Sequence, residues 1–179
     1  MGAEITTGTT TATSASTSTS TTKIEISKDY LHFSSAHFTI FSASERENLH
    51  GHTFYVKAFV DCNVGSTGLA FDYNILKEKL KALCDSIDEK VLLPAQSPYL
   101  SIAQDDQYVV AEFAGEKLPF LLRDVLILEL RNVTVEELAP WFLSRLVEDA
   151  AIAQLELLRL EIQVSSGPGQ WASSSWAAA

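Results

Sequence analysis

From His50 to Val60 the chain alternates: His50, His52, Phe54, Val56, Ala58 and Val60 stand at every second position, with Gly51, Thr53, Tyr55, Lys57 and Phe59 between them. A period of two is that of a β-strand, in which residues i and i+2 share a face. The stretch is therefore a half-buried strand, and whatever fold forms must be built around it. It constrains chemistry as well, because two of the four histidines in the chain open its apolar face. Two imidazoles at the mouth of a strand supply two legs of a zinc site, and a third must come from an adjacent strand. Leu31, Phe33, Ser35 and His37 alternate in the same way, and His37, at their end, is the candidate third ligand. Three histidines with an open fourth position are the layout of a catalytic zinc, which leaves room for water or substrate. The spacing alone is equally compatible with a solvated strand end. His32 falls on the parity opposite to His37 and is expected to point away.

The chain has 179 residues, 46% of them apolar, enough for one domain with a sizeable core. Its net charge of −10 argues against nucleic acid or an anionic membrane as partner, since these need basic stripes. It does not exclude an anionic small molecule, which needs only a local basic pocket. No apolar run reaches the length of a membrane span, about 18 residues or more. Cys62 and Cys84 fall in a predicted strand and a predicted helix, too few for a disulfide framework; both read as reduced packing residues, and the expected compartment is cytoplasmic. Residues 1–22 are rich in Ser, Thr, Ala and Gly and read as a disordered tail that buries too little to repay its ordering. The domain is expected over 23–173, followed by a flexible tail over 174–179.

Within that domain Ile24 and Ile26 begin a first strand, and the change of parity before Leu31 predicts a bulge near residues 28–30. Residues 39–49 are mostly polar and read as a loop over the histidines. Asp72 is an N-cap for a helix with Leu76, Leu80, Leu83 and Ile87 on one side. Residues 99–113 read as a hairpin with its tip at 104–107, and a strand follows over 125–130. Thr134 with Glu137 three residues later has the form of a capping box, opening a helix that presents Val135, Leu138, Phe142 and Leu146. The last strand alternates Leu158, Leu160, Ile162 and Val164 inward. This order predicts an α+β fold, a predominantly antiparallel sheet with two helices on one face. Its open edges predict self-association.

Five segments carry a resemblance: Phe33-Ser34-Ser35-Ala36-His37, Leu49-His50-Gly51-His52, the stretch from Gly68 to Tyr73, Ile87-Asp88, and the stretch from Asn132 to Ala139. In this order and spacing they resemble the 6-pyruvoyltetrahydropterin synthase and 6-carboxytetrahydropterin synthase family, over about residues 24–173. The resemblance implies the tunnelling fold, in which subunits join their sheets into an oligomeric barrel, usually a homohexamer of two trimers. It implies Zn2+ held by His37, His50 and His52. It also implies a small-molecule pterin substrate derived from 7,8-dihydroneopterin triphosphate, in a tetrahydrobiopterin or queuosine pathway.

The chain departs from the family at three places. The family commonly carries a cysteine base shortly before the His-Gly-His segment, where this chain has Arg46 and Glu47. One branch of the family uses a glutamate at the position of Glu47 and cleaves the side chain to 6-hydroxymethyldihydropterin, so the resemblance makes Glu47 the candidate base. Where the family has Asp-His, this chain has Asp88-Glu89, leaving Asp88 as a second catalytic candidate whose ordinary reading is the end of a helix. Where the family grips the pterin edge with a glutamate near the last strand, this chain has Ser165-Ser166. A serine cannot make the charge-assisted contact of a carboxylate, a difference of about 1.5–3 kcal/mol. Ser166 and Glu136 are the candidate substrate-binding residues, although Glu136 in a first helical turn also suits the helix dipole. Arg46 and Lys57 are basic residues near the site that could meet a phosphate chain or simply lie at the surface. Two functions follow: a zinc-dependent lyase acting by triphosphate elimination or side-chain cleavage, or a catalytically idle zinc-binding member serving as a binding or assembly subunit.

Overall fold

A computed structural model describes residues 20–178. In chain order it contains β1 (Ser20–Ile26), β2 (His32–His37), β3 (His50–Val64), α1 (Tyr73–Ile87), β4 (Lys90–Pro94), β5 (Ser101–Gln104), β6 (Tyr108–Phe113), β7 (Glu116–Leu121), β8 (Val125–Leu128), α2 (Val135–Val147), the short α3 (Ala150–Ala153), β9 (Arg159–Ser165) and β10 (Ala172–Ala177). The long alternating strand β3 is the axis of a seven-stranded sheet ordered β10-β9-β3-β2-β4-β8, with β1 also on β3. Both β1 and β2 run antiparallel along β3, β1 pairing Ile26 with Ala58 and β2 pairing His32 with Tyr55. Between those pairs the chain spends residues 27–31 against only 56 and 57. This is the predicted bulge, enlarged into a turn that Leu31 N–H closes on Lys28 O at 2.9 Å. The pairings of β3 with β9 and of β9 with β10 are antiparallel, whereas β2 with β4 and β4 with β8 are parallel. The sheet is thus mixed, its antiparallel half containing the histidines.

Parity decides which face is covered. Phe54, Val56, Ala58, Val60 and Cys62 of β3 join Phe33 of β2 and Leu160, Ile162 and Val164 of β9 in one buried layer. Leu76, Leu80, Cys84 and Ile87 of α1 and Leu138, Phe142 and Leu146 of α2 pack on it. Each buried Val, Leu, Ile or Phe among them contributes about 1.5–3 kcal/mol. Phe33 and Phe54 stack at 4.8 Å between centroids, with Phe142 5.8 Å from Phe33. A second, smaller core of Phe38, Ile40, Leu93, Leu100, Val109, Ala111 and Phe113 lies beneath the three-stranded sheet β5-β6-β7.

Several expectations change. Strand β1 starts at Ser20, inside the stretch read as a tail; the rest of that stretch, 1–19, lies outside the described residues. Residues 172–177, read as tail from 174 onward, form β10, where Trp176 pairs across from Leu160 and contact with β9 orders a serine-rich segment of low intrinsic strand preference; Ala179 lies outside the described residues. The predicted hairpin gains a third strand, β7. Thr134 caps α2 with no side-chain hydrogen bond; Glu137 N–H goes to the Thr134 carbonyl at 3.2 Å instead, and the Glu137 carboxylate turns to Arg131, accepting from Nε at 2.9 Å. Leu158, expected inward, is 37% exposed, and Leu157 is buried in its place.

Candidate metal centre and its cavity

The three histidines meet because of strand register. His37 at the end of β2 pairs directly with His50 at the start of β3, and His52 is the next residue of β3 on the same face. Their ligand atoms lie within 4.8 Å of one another, with Nε2 of His50 and Nε2 of His52 at 3.0 Å. His37 is buried and donates from Nδ1 to the carbonyl of Val133 at 2.8 Å. A carbonyl only accepts, so Nδ1 carries the proton and Nε2 presents a lone pair. That Nε2 is buried without a hydrogen-bond partner, a costly state unless something else fills it. His50 is fixed in the same sense, Nδ1 donating to Asn48 O at 2.8 Å. Burial, the largest influence on it, keeps the pKa of His37 below its ordinary value, favouring the neutral imidazole that ligates metals. Tetrahedral bonds of about 2.05 Å place ligand nitrogens about 3.3 Å apart, within the range these side chains span. Phe54 lies beneath, 5.3 Å from the His37 ring and 5.8 Å from the His52 ring. The residues fit a metal ion, and the hydrogen bonds behind His37 and His50 orient the rings for it. His32 is exposed, its Nδ1 at 2.6 Å from Asp29 O, in keeping with its parity.

Beside this group opens a cavity of about 370 Å³, lined by Thr39, Glu47, Thr134, Glu136, Ser166 and Trp171 besides the histidines. Glu47 is carried by the loop between β2 and β3, which folds back on itself. Phe41 N–H reaches Glu45 O, Glu47 N–H reaches Thr39 O, and Thr39 N–H donates to Glu47 Oε2, each at 2.9 Å. Glu47 Oε2 lies 4.0 Å from His50 Nε2. Desolvation would raise the pKa of Glu47, but the Thr39 hydrogen bonds and the adjacent histidines outweigh it and hold the carboxyl below its ordinary value. Glu47 is therefore an ionised acceptor at neutral pH. Glu136 at the start of α2 is exposed at the cavity wall, and Ser166 faces it where the chain leaves β9.

Asp88 is not in this group. It ends α1, and its Oδ1 accepts from Ser34 N–H at 2.6 Å, while Glu89 N–H donates to Ser34 O at 2.8 Å. Within one chain it ties the helix end to β2, one residue ahead of the pairing of Ser35 with Lys90. Arg46 is not a surface cation either: it is largely buried beside Phe38. Lys57 lies over the Trp171 ring at 4.4 Å. Three supports of the site had roles that the sequence did not reveal, although Asn132 and Val133 lie in a segment of the resemblance. Val133 acts through its carbonyl and Thr39 through its amide, and any residue supplies those. Asn132 binds the loop with its side-chain amide, donating to Ile40 O at 2.9 Å and accepting from Ile40 N–H at 3.1 Å.

The family model described as 6-pyruvoyl tetrahydropterin synthase matches residues 25–175. A Methanocaldococcus jannaschii protein named putative 6-carboxy-5,6,7,8-tetrahydropterin synthase is 26% identical over 145 residues, 79% of this chain and 88% of the relative. A Pyrococcus abyssi protein of the same name is 30% identical over 119 residues, 66% of this chain and 71% of the relative. Among solved structures, the 6-pyruvoyl tetrahydropterin synthase of Plasmodium vivax superposes with a TM-score of 0.83 at 26% identity, covering 89% of this chain and 99% of its own. A mutant of that protein in which a catalytic glutamate is changed to alanine superposes equally well, at 0.83 and 25% identity, over the same 89% and 99%.

Proposed function

The chain belongs to the 6-pyruvoyl tetrahydropterin synthase family, and on that premise we propose that it is a zinc-dependent lyase of pterin biosynthesis acting on 7,8-dihydroneopterin triphosphate, by triphosphate elimination or side-chain cleavage. One observation carries the proposal: the buried, unpartnered Nε2 of His37 is grouped with the imidazoles of His50 and His52 at the mouth of a cavity that also holds an ionised glutamate. His37, His50 and His52 would hold the zinc, which when bound supplies Lewis-acid polarisation of a substrate oxygen.

The rest is done by the chain's own groups. Thr39 occupies Oε2 of Glu47, leaving Oε1 to receive a proton from the substrate side chain. Holding that acceptor fixed and ionised is the condition for general-base catalysis. That the Plasmodium vivax relative has a glutamate as a catalytic residue supports this assignment. Glu136 and Ser166 line the wall where a ring edge would sit, Glu136 supplying the carboxylate that can pair with ring N–H groups. Within one chain Asp88 is committed to Ser34, so the proposed base is Glu47 alone. The molecule would act in the cytoplasm as a self-assembled oligomer, a homohexamer in keeping with the family.

The test is to incubate the zinc-loaded protein with 7,8-dihydroneopterin triphosphate and identify products by mass, alongside His50→Ala/His52→Ala. The expected result is a pterin lacking the triphosphate from the wild type, and neither zinc nor product in the double variant. Full zinc occupancy in that variant would remove the ligand assignment. Unchanged substrate with a stoichiometric wild-type metal content would leave the chain an idle zinc-holding assembly subunit.

A further inference from the structure

Arg46 is a large cation in a place that does not favour one. Its side chain is only 15% exposed, and its Nε is buried without a hydrogen-bond partner. Desolvating a guanidinium is costly unless its neighbours repay it. The carboxylate paired with it among the described residues, Glu116 Oε2, stands 3.7 Å away on a side chain that is 75% exposed, and such solvated pairs contribute little. What surrounds the guanidinium instead is aromatic. Its carbon lies 4.9 Å from the Phe38 ring centroid and 5.7 Å from that of Phe113, both rings being almost wholly buried. A flat, weakly hydrated cation is suited to such a slot.

The direction in which the slot aims it is informative. Nη1–H donates to the backbone carbonyl of Glu47 at 2.8 Å. Glu47 is thereby held at three points: N–H by Thr39 O, carboxylate by Thr39 N–H, and carbonyl by Arg46. The first two come from the segment that follows His37. The third reaches back to Phe113 on β6, an element with no other part in the site. We propose that Arg46 is a positioning residue, which fixes the Glu47 backbone by a hydrogen bond delivered from between the Phe38 and Phe113 rings. The three-stranded sheet β5-β6-β7 thus buttresses the metal-side loop. The inference rests on the reading of Glu47 as the base, but its structural half is measurable without turnover.

In the full-length protein Arg46→Met keeps the apolar stem between the rings and deletes the donor. Amide exchange at Thr39 and Glu47 should quicken about tenfold, with the β3 amides of Val56 and Ala58 unchanged. The value of kcat should fall about tenfold while KM stays within about twofold and zinc content is unaltered. In a Glu47→Gln background Arg46→Met should have no further effect on kcat, the mark of two residues acting through one group. Where Arg46→Met does not accumulate as folded protein, Arg46→Lys, which keeps the charge but not the planar fork, is measured for the same changes. Unchanged exchange at Thr39 and Glu47 would overturn the proposal, as would an equal, independent loss of kcat in the Glu47→Gln background. Wild-type turnover in Glu47→Gln alone would instead remove the base, and the exchange result would still decide whether Arg46 holds the loop.

Discussion

At the scale of single residues the cavity holds Glu47 beside the histidines and neither thiol. Glu47→Gln is isosteric and keeps an oxygen for Thr39 N–H, so the loop should persist while its proton acceptor is lost. Turnover should fall about a hundredfold to ten-thousandfold with zinc content unchanged; wild-type turnover would make Glu47 a loop residue only. Cys84 cannot stand in for it: burial pushes its thiol up to about 12. Burial raises the Cys62 thiol as well. Neither lines the cavity, so thiol-blocking reagents should leave turnover nearly intact. The shared face of His50 and His52 is legible in the sequence, because which residues of a strand point the same way depends on spacing alone; His37 joins them through the register of β2 on β3, which spacing does not give. The hydrogen bonds that hold Glu47 are not, since two of them use backbone atoms common to every residue.

At the scale of elements, the junction between α1 and α3 carries a pH-dependent stability. Asp149 caps α3, accepting from Ala151 N–H at 2.8 Å, and pairs with Lys79 Nζ of α1 at 2.7 Å. The Lys79 hydrogen bond, first among the causes, and the two capping amides hold its carboxyl below its ordinary value against some desolvation. A carboxyl with a lowered folded pKa stabilises the fold above its unfolded pKa, about 3.9, and loses that contribution as pH falls through the folded value. Asp149→Asn should therefore lower the urea midpoint at pH 7, and its deficit against the wild type should narrow below about pH 4. A deficit constant across that range would assign the effect to packing. Elements were legible where a period is long and carries its own ends, as in β3, α1 and β9. They were not where a partner makes them. β7 carries Pro119, yet it is an edge strand on β6, a place that tolerates proline. β10 is a serine run ordered by its pairing with β9 and its packing on α2. The Glu137 half of the capping box failed for a similar reason: Arg131, ahead of the helix, offers Glu137 a charged partner that the motif does not contain.

At the scale of the molecule, the face of the main sheet away from the helices is covered by β5-β6-β7 at β4, where Leu93 is buried, and is open at Tyr55 of β3 among the described residues. Tyr55 on β3 is 42% exposed and Trp171 39%, and the sheet ends in β8 and β10 with no further strand beside them among those residues. Free edges and a half-apolar face invite pairing with other copies. Sedimentation at micromolar concentration should show a species larger than a dimer, and a stable monomer would contradict this. The histidine register has a consequence of another kind, in time. His37 and His50 are neighbours across one pair of strands, joined by a loop short enough to close in about 10–100 ns. The cavity walls are supplied by α2 and by the end of β9, far along the chain, and the mixed sheet must join β2 to β4 and β4 to β8 in parallel before they settle. Distant and parallel pairings are slow to form. The three imidazoles would thus be gathered within a local hairpin early in folding, and the cavity beside them completed only once the last strand docks.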